Sequence, residues 1–170
     1  YSRLQGVRLD ANVKLYEDQE LLAETTGNLI FTSWGLNGPA VMDLSHHIST
    51  RPDARLRLAL NPLFASETAL RSLVREKRYT STLLTILLGA ALPPKLAMAV
   101  LPMAGLTIHA KVNEVSDADL EKVFALLTAL PFKVTGVRGF EYCQVSAGGV
   151  PVSEVDPATM RSRVVPKLLL

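Results

Sequence analysis

Few side chains in this sequence have the types and spacings that known catalytic or metal-binding sites require. His46 and His47 are adjacent, so on a helix they point about 100° apart and cannot bind one metal as an i, i+4 pair would. His109 has no cysteine or carboxylate at a zinc-binding spacing, and Cys143 is the sole cysteine. No G-x-S-x-G elbow and no dinucleotide fingerprint occurs. The sequence therefore predicts no metal site, identifies no catalytic residue, and favours a solvated helix end at the paired histidines.

Two glycine-bearing stretches are the remaining candidates for a binding site. They are "FTSWGLNGP" at 31–39 and "SAGGV" at 146–150. Glycine lacks the Cβ that keeps a ligand away from the backbone, and a strand-to-helix turn presents free N–H groups to anionic or polar ligand atoms. Glycine in such turns also serves backbone geometry alone, so both interpretations remain open for each stretch.

Composition and charge exclude several classes of protein. Charged residues make up 20% of the chain and hydrophobic residues 48%, which is typical of a globular protein. The net charge of +2 forms no surface of one sign, so we expect neither a nucleic-acid nor a membrane partner. The apolar segment 79–108 is divided by prolines into lengths too short to span a bilayer, and a single cysteine makes the cytoplasm the expected compartment.

The elements that would position these stretches follow from hydrophobic periodicity. Residues 7–15 alternate between apolar and polar types, which predicts a strand, and "EDQE" at 17–20 predicts the turn of a hairpin. The returning strand covers 21–32 with an interruption at Gly27, a helix begins at Pro39, and a third strand covers 54–60. Strands resume at "FKVTGV" (132–137) and "FEYCQVS" (140–146), joined by a tight turn at Arg138 and Gly139.

Between these strands the period changes to that of helices. Ser66 is expected to cap a helix that runs to about Tyr79, two short apolar helices follow, and Ser116 opens a further helix. We therefore predict an α+β fold, in which a partly closed, mixed or antiparallel β-barrel-like sheet is interrupted by an all-helical lobe. Residues 1–60 and 131–170 form the β-barrel-like lobe, and residues 61–130 form the helical lobe.

The first helix of this lobe carries four cations that suggest a second interpretation. Arg71, Arg75, Lys77 and Arg78 lie within one helix, and consecutive short helices can resemble a helix-turn-helix. Glu67 and Glu76 partly neutralise the positive charge of this helix. A solvated face, with cations favoured near the helix C-terminus, is the interpretation we prefer.

Both glycine-bearing stretches carry a family resemblance. "LIFTSWGLNGPAVMDLS" resembles the F-T-H-x-G-x-S-G-P segment of the BaiN/YhiN-type flavoproteins, and "GFEYCQVSAGGVPVSEVDPATMRSRVVP" resembles their G-G-V, E-(I/V)-D, T-M-x-S-K run. Order and spacing agree, so the resemblance covers essentially the whole chain. Ser33 stands where the family commonly has His, and Asn37 where it has Ser, so no proton-transfer role for that His passes to this chain. Arg163 replaces the usual Lys, and Lys167 a common Gly.

The resemblance implies a FAD-dependent oxidoreductase, with an aminoacetone oxidase and a bile-acid reductase among its relatives. This chain would be the substrate-side insert, and the FAD-binding Rossmann-like domain of the same polypeptide, formed by sequence on both sides of the insert, would be its partner. A small molecule would be the substrate, with NAD(P)H as a candidate electron donor. The resemblance implies substrate contacts at Thr32, Ser33, Gly35, Asn37 and Gly38, and a turn facing flavin or substrate at Gly148, Gly149 and Val150.

The chain begins at Tyr1 without a methionine and ends on three leucines, so we expect a piece of a longer protein. By itself this piece should bind no FAD and be inactive. The alternative is a stand-alone interaction module that docks a partner protein through its apolar helical lobe.

Overall fold

The computed structural model describes residues 2–51, 55–62, 66–144 and 148–170. Tyr1, the start of the third expected strand at Ala54, and Val145 to Ala147 lie outside the described residues. Five antiparallel strands form the main sheet in the order β3-β2-β1-β4-β5, and two short strands form a separate hairpin. The strands are β1 Arg8–Glu17, β2 Glu20–Phe31, β3 Leu36–Asn37, β4 Leu56–Pro62, β5 Leu130–Lys133, β6 Val155–Asp156 and β7 Arg161–Ser162. The helices are α1 Pro39–Met42, α2 Ser45–Ser49, α3 Glu67–Glu76, α4 Leu84–Gly89, α5 Pro94–Met103 and α6 Asp117–Thr128.

The hairpin of β1 and β2 confirms the strand that the alternation of residues 7–15 predicts. Strand β1 pairs with β2 from Arg8 opposite Ile30 to Glu17 opposite Glu20. The apolar members of β1 are buried, whereas the polar members between them are exposed or half-buried, because successive side chains point to opposite faces of a strand. Gly27 does not interrupt the returning strand, since it pairs with Ala11 inside a continuous ladder.

The main sheet curls into half a barrel. In a flat sheet, β2 and β5 would lie about 14 Å apart, because two strands separate them and neighbouring strands are spaced by about 4.8 Å. The ring centroids of Phe31, at the end of β2, and Phe132, in β5, are instead 5.8 Å apart. The side chains of Phe31 and Phe132 therefore meet across the concave face of the sheet, and the predicted partly closed β structure is confirmed.

Two capping serines fix where helices of the helical lobe begin. The Ser66 hydroxyl accepts a hydrogen bond from the Ala69 N–H at 3.0 Å, and the Ser116 hydroxyl accepts one from the Asp119 N–H at 3.1 Å. Helix α3 ends at Glu76, slightly before the expected end at Tyr79. One cluster of buried side chains contains residues from the sheet and from helices α3 to α6, so the helices pack on the sheet as one core.

The second expected strand of the C-terminal part, "FEYCQVS", is wrong for the residues that are described. Strand β5 ends at Lys133, and the ladder closes with one further bond from the Val134 N–H to the Leu56 carbonyl oxygen. Phe140–Tyr142 forms a single 3₁₀ turn, and the Phe140 side chain is 83% exposed. The alternating residues have no strand beside them among the described residues, and alternation alone does not make a strand without a partner.

The acidic turn near the C-terminus closes the small hairpin β6–β7. The Asp156 carboxylate accepts hydrogen bonds from the Ala158 N–H at 3.0 Å and from the Thr159 hydroxyl at 2.7 Å. These bonds, with the Thr159 hydroxyl contributing most, hold the pKa of Asp156 below its usual value. The "EVDPATM" run is thus a self-contained turn.

None of the helices among the described residues combines the length and apolarity needed to cross a bilayer. Within the same residues, no group of three or more His, Cys, Asp or Glu side chains could hold a metal ion.

Replacing Phe132 tests the curl of the sheet. We expect Phe132→Ala to lower the free energy of unfolding by about 3–5 kcal/mol, because it removes a buried ring and leaves a cavity beneath Phe31. Phe140→Ala is the matched control, since that ring is 83% exposed and its loss should change stability by no more than about 0.5 kcal/mol. Urea unfolding measures both variants, and equal losses would contradict the contact across the sheet.

Candidate functional site

A wide cleft lies on the open side of the half-barrel. It has a volume of about 1320 Å³, and its floor includes Phe31 and Phe132. One wall is the loop between β2 and β3, another is helix α2 with the residues before it, and the third is the segment 133–144. The curl of the sheet therefore brings together three segments that are distant in sequence.

The β2–β3 loop is held in a tight turn by its own backbone and by Thr32. The Thr32 N–H donates to the Gly35 carbonyl oxygen at 2.8 Å. The Thr32 hydroxyl donates to the same oxygen at 2.8 Å and accepts from the Gly35 N–H at 3.1 Å. Trp34 sits within this turn and is 49% exposed. Thr32 thus closes the turn that presents Trp34 at the cleft.

Of the five loop residues expected to contact substrate, Thr32, Ser33, Gly35 and Asn37 line the cleft. Gly38 does not, and the structure gives it a packing role. Its φ is +105°, and a Cβ there would lie 2.7 Å from the Asn28 carbonyl oxygen and 3.0 Å from the Leu29 Cα. Only glycine lets the start of α1 approach β2 this closely.

The described part of the second glycine-bearing stretch, Gly148 to Val150, is not among the residues that line this cleft. Gly148 and Gly149 have φ values of +113° and +127°, and no described atom lies within 4 Å of where a Cβ would stand at either position. Val150 is 49% exposed. The expected role of Gly148, Gly149 and Val150, facing flavin or substrate, stays a prediction.

Arg138 joins the β2–β3 loop to the wall formed by segment 133–144, a contact that no pattern in the sequence predicts. Its guanidinium carbon lies 4.6 Å from the centre of the Trp34 ring and 3.4 Å from the centre of the Tyr142 ring. Cation–π attraction favours this arrangement. Trp34 and Arg138 belong to segments far apart in sequence, so only the curl of the sheet makes them neighbours.

The paired histidines lie on the short helix α2, where His46 is exposed and His47 half-buried, which agrees with the solvated helix end that the sequence favours. Their ring centroids are 3.9 Å apart with the ring planes inclined by 38°, and His46 lines the cleft. Burial lowers the pKa of His47, and the nearby His46 and Arg51 lower it further. Helix α2 therefore presents one exposed imidazole to the cleft. The sequence interpretation missed His46 because adjacency argues only against a shared metal.

Three of the four cations in and just after helix α3 are paired within the fold, and one of them is Lys77, which contacts Glu76 at 2.7 Å. Arg71 donates to Glu121 at 2.6 Å and to Glu67 at 2.7 Å, and these bonds raise the pKa of Arg71. Arg78 donates to the carbonyl oxygens of Val112 and Val115 and pairs with Asp117 at 3.2 Å. The helix-turn-helix interpretation requires unpaired cations that can contact DNA phosphates, and these pairings leave few of them.

Comparison with known proteins gives a family and two relatives. A family model described as the HI0933-like protein barrel and H2TH domain matches residues 1–145. The 3-dehydro-bile acid delta(4,6)-reductase of Clostridium scindens is 27% identical over the whole chain, which spans 43% of that relative's length. The ribosomal RNA dihydrouridine synthase of Escherichia coli is 28% identical over 83% of the chain, which corresponds to 34% of that relative. The chain thus spans less than half the length of the curated relatives it matches.

The close approach at Gly38 can be tested against a glycine of similar backbone conformation. We expect Gly38→Ala to destabilise the fold by more than about 2 kcal/mol, since it combines a positive φ with a backbone clash. Gly148→Ala shares the positive φ but meets no described neighbour, so its cost should be limited to about 1–2 kcal/mol. Thermal unfolding measures both variants. Equal shifts in their melting temperatures would show that the close packing at Gly38 contributes nothing to stability.

Proposed function

The chain belongs to the HI0933-like family, as its barrel and H2TH domain, and from this premise we propose that it forms the substrate-facing wall of a FAD-dependent oxidoreductase. The observation that carries the proposal is the cleft itself. Its floor is made by the two phenylalanines that close the half-barrel, and its walls carry polar groups from the β2–β3 loop and an imidazole from α2. Apolar clefts with a few convergent polar groups are typical of small-molecule sites.

We propose that this chain does not hold FAD by itself, and its strand pairing supports this. Every strand pair of the main sheet is antiparallel, whereas a dinucleotide fold needs parallel strands joined by crossover helices. The helices beside the cleft, α1 and α2, have only four and five residues. We therefore propose that FAD is held by the part of the polypeptide outside this chain, as the family implies for the full-length proteins.

When bound, the flavin supplies the hydride transfer, and this chain supplies the surroundings of the reaction. The buried floor keeps water from one side of the substrate. Ser33 and Asn37 offer polar contacts from the loop, while Thr32 and Gly35 hold its shape. His46 is the only imidazole in the described wall of the cleft and is available to exchange a proton with a bound substrate.

We propose that the C-terminal segment, residues 148–170, forms the surface that packs on the flavin domain. Its apolar side chains are exposed, including Val152 at 85%, Val164 at 63% and Leu169 at 63%. Exposed apolar groups in this number mark a surface that a partner covers. Gly148, Gly149 and Val150 precede this surface, which supports their proposed position next to the flavin or the substrate.

The substrate is less defined than the reaction class. One relative is named for a bile acid and the other for ribosomal RNA. The family therefore supports a flavin-dependent oxidoreductase without specifying what it reduces or oxidises. NAD(P)H as electron donor, a cytoplasmic location and the division into a β-barrel-like lobe (1–60 and 131–170) and a helical lobe (61–130) stay parts of the proposal.

The absorbance spectrum of the flavin tests this division of labour. The full-length polypeptide and the 170-residue chain are each mixed with FAD and then freed of unbound cofactor. We expect the full-length protein to keep a flavin spectrum and the chain alone to be colourless, because the strands described in the chain pair only in antiparallel fashion and a dinucleotide-binding fold needs parallel ones. A chain that retains FAD by itself would contradict the proposal, as would a full-length protein that binds none.

A further inference from the structure

Two walls of the cleft continue from Phe31 and Phe132, and they are joined a second time at exposed residues. Trp34 lies three residues after Phe31, and Arg138 lies six residues after Phe132. The inner contact, between the two phenylalanines, is buried, since these side chains are 3% and 7% exposed. The outer contact, between the Arg138 guanidinium and the Trp34 ring, joins two exposed residues. The same two segments are therefore held by one buried contact and by one that faces solvent.

The wall that carries Arg138 is weakly attached beyond the end of the sheet. We call its residues 135–144 the strap. All of them are exposed, and the sheet ladder ends just before them, at the bond from the Val134 N–H to the Leu56 carbonyl oxygen. Within the part of the chain that the structure describes, the strap forms no hydrogen bond and no ion pair with another segment, and its backbone bonds close only its own 3₁₀ turn. The cation–π contact of Arg138 is what joins it to the β2–β3 loop.

Gly136 provides a point at which the strap can turn. Its φ is +140°, a conformation that favours glycine, and no described atom lies within 4 Å of where a Cβ would stand. This point lies between the end of the ladder and Arg138, so a rotation there would move Arg138 and leave the sheet in place. Hinges of moving segments are a few loop residues that absorb such a change in backbone angles.

The outer contact is strong enough to favour one arrangement and weak enough to break. The guanidinium carbon of Arg138 lies 3.4 Å from the centre of the Tyr142 ring and 4.6 Å from that of the Trp34 ring. Tyr142 belongs to the strap and moves with Arg138, so only the contact with Trp34 resists a movement of the strap. One exposed cation–π contact contributes a factor of only about 2 to 5 to the closed arrangement.

We propose that the strap is a gate of the cleft. The gate is closed when Arg138 contacts Trp34, and its opening about Gly136 widens the cleft and admits a ligand. The contact between Phe31 and Phe132 stays in place in both arrangements, so the curl of the sheet does not change. The inference goes beyond the proposed function, because it concerns access to the cleft and holds for whatever small molecule the cleft binds.

Trypsin cleavage of the full-length polypeptide loaded with FAD measures the opening. The bond after Arg138 is cut only when the guanidinium leaves the rings and enters the protease, and mass spectrometry follows the fragment that ends there. We expect Trp34→Leu to raise the rate of this cut by about 1.5- to 5-fold, because the lost contact contributes a factor of about 2 to 5 and part of the population is open already. Cleavage after Lys133 should not change, since the ladder of β5 holds that residue in both arrangements.

Tyr16→Leu is the matched control for the lost ring. The guanidinium carbon of Arg57 lies 4.6 Å from the centre of the Tyr16 ring, the same distance as between Arg138 and Trp34, and Tyr16 does not line the cleft. This variant loses a cation–π contact of equal length elsewhere in the fold. Its rate of cleavage after Arg138 should therefore equal that of the unsubstituted protein.

A second measurement tests whether opening of the strap admits a small molecule. Leu58 lines the cleft, pairs with Phe132 in the sheet and is 7% exposed. Leu58→Cys, in a Cys143→Ser background, places a thiol at that position, and peptide mapping follows its modification by N-ethylmaleimide. We expect the addition of Trp34→Leu to speed this modification by about 1.5- to 5-fold, as for the cut, and the addition of Tyr16→Leu to leave it unchanged.

A bond after Arg138 that stays uncut in the folded protein would overturn the inference, as would equal cleavage of Trp34→Leu and Tyr16→Leu. Modification at position 58 that does not respond to Trp34→Leu would overturn it too. Parallel acceleration of the cut after Lys133 would show that Trp34→Leu loosens the whole sheet, which also contradicts the gate. Loss of flavin absorbance from the unsubstituted protein would instead contradict the proposed function, and the same samples record both.

Discussion

The contact between Phe31 and Phe132 is the constraint on which the rest of the structure depends. These rings come from strands that two other strands separate, yet their centroids are 5.8 Å apart. That distance requires the sheet to curl, and the curl brings the loop after β2 next to the segment after β5. Helix α6 packs on β4 and β5 through Leu120, Val123, Phe124 and Leu127, which lie in the same buried cluster as Phe31 and Phe132, so this helix supports one side of the curled sheet.

The cleft follows from this curl rather than from any local motif. Thr32 shapes a tight turn, Gly38 allows α1 to lie against β2, and α2 then presents His46 on the same side. Each of these features is ordinary by itself. Together they form a wall that is mainly apolar with a few polar groups, next to which, under the proposed function, a flavin-binding domain of the same polypeptide would complete an active site.

The parts of the fold that depend on local sequence were predictable. Alternation in 7–15 predicted β1, and Ser66 and Ser116 predicted where α3 and α6 begin, because capping and periodicity act over a few residues. The strand expected at "FEYCQVS" is wrong over its described residues 140–144, because alternation does not indicate whether a partner strand exists. The family was recognisable from two glycine-bearing stretches, but the meeting of Trp34 with Arg138 depends on the curl, which no short pattern encodes.

One Trp and one Cys give a direct measurement of the central claim, because Trp34 and Cys143 both line the cleft and are the sole residues of their types. A nitroxide label on the exposed Cys143 should quench Trp34 fluorescence in the folded 170-residue chain. The account predicts strong quenching that disappears in urea and is reduced by Phe132→Ala, with Phe140→Ala leaving it in place. Trp34 fluorescence that is unaffected by the label in the folded chain would show that the two walls do not meet, and would contradict the curl.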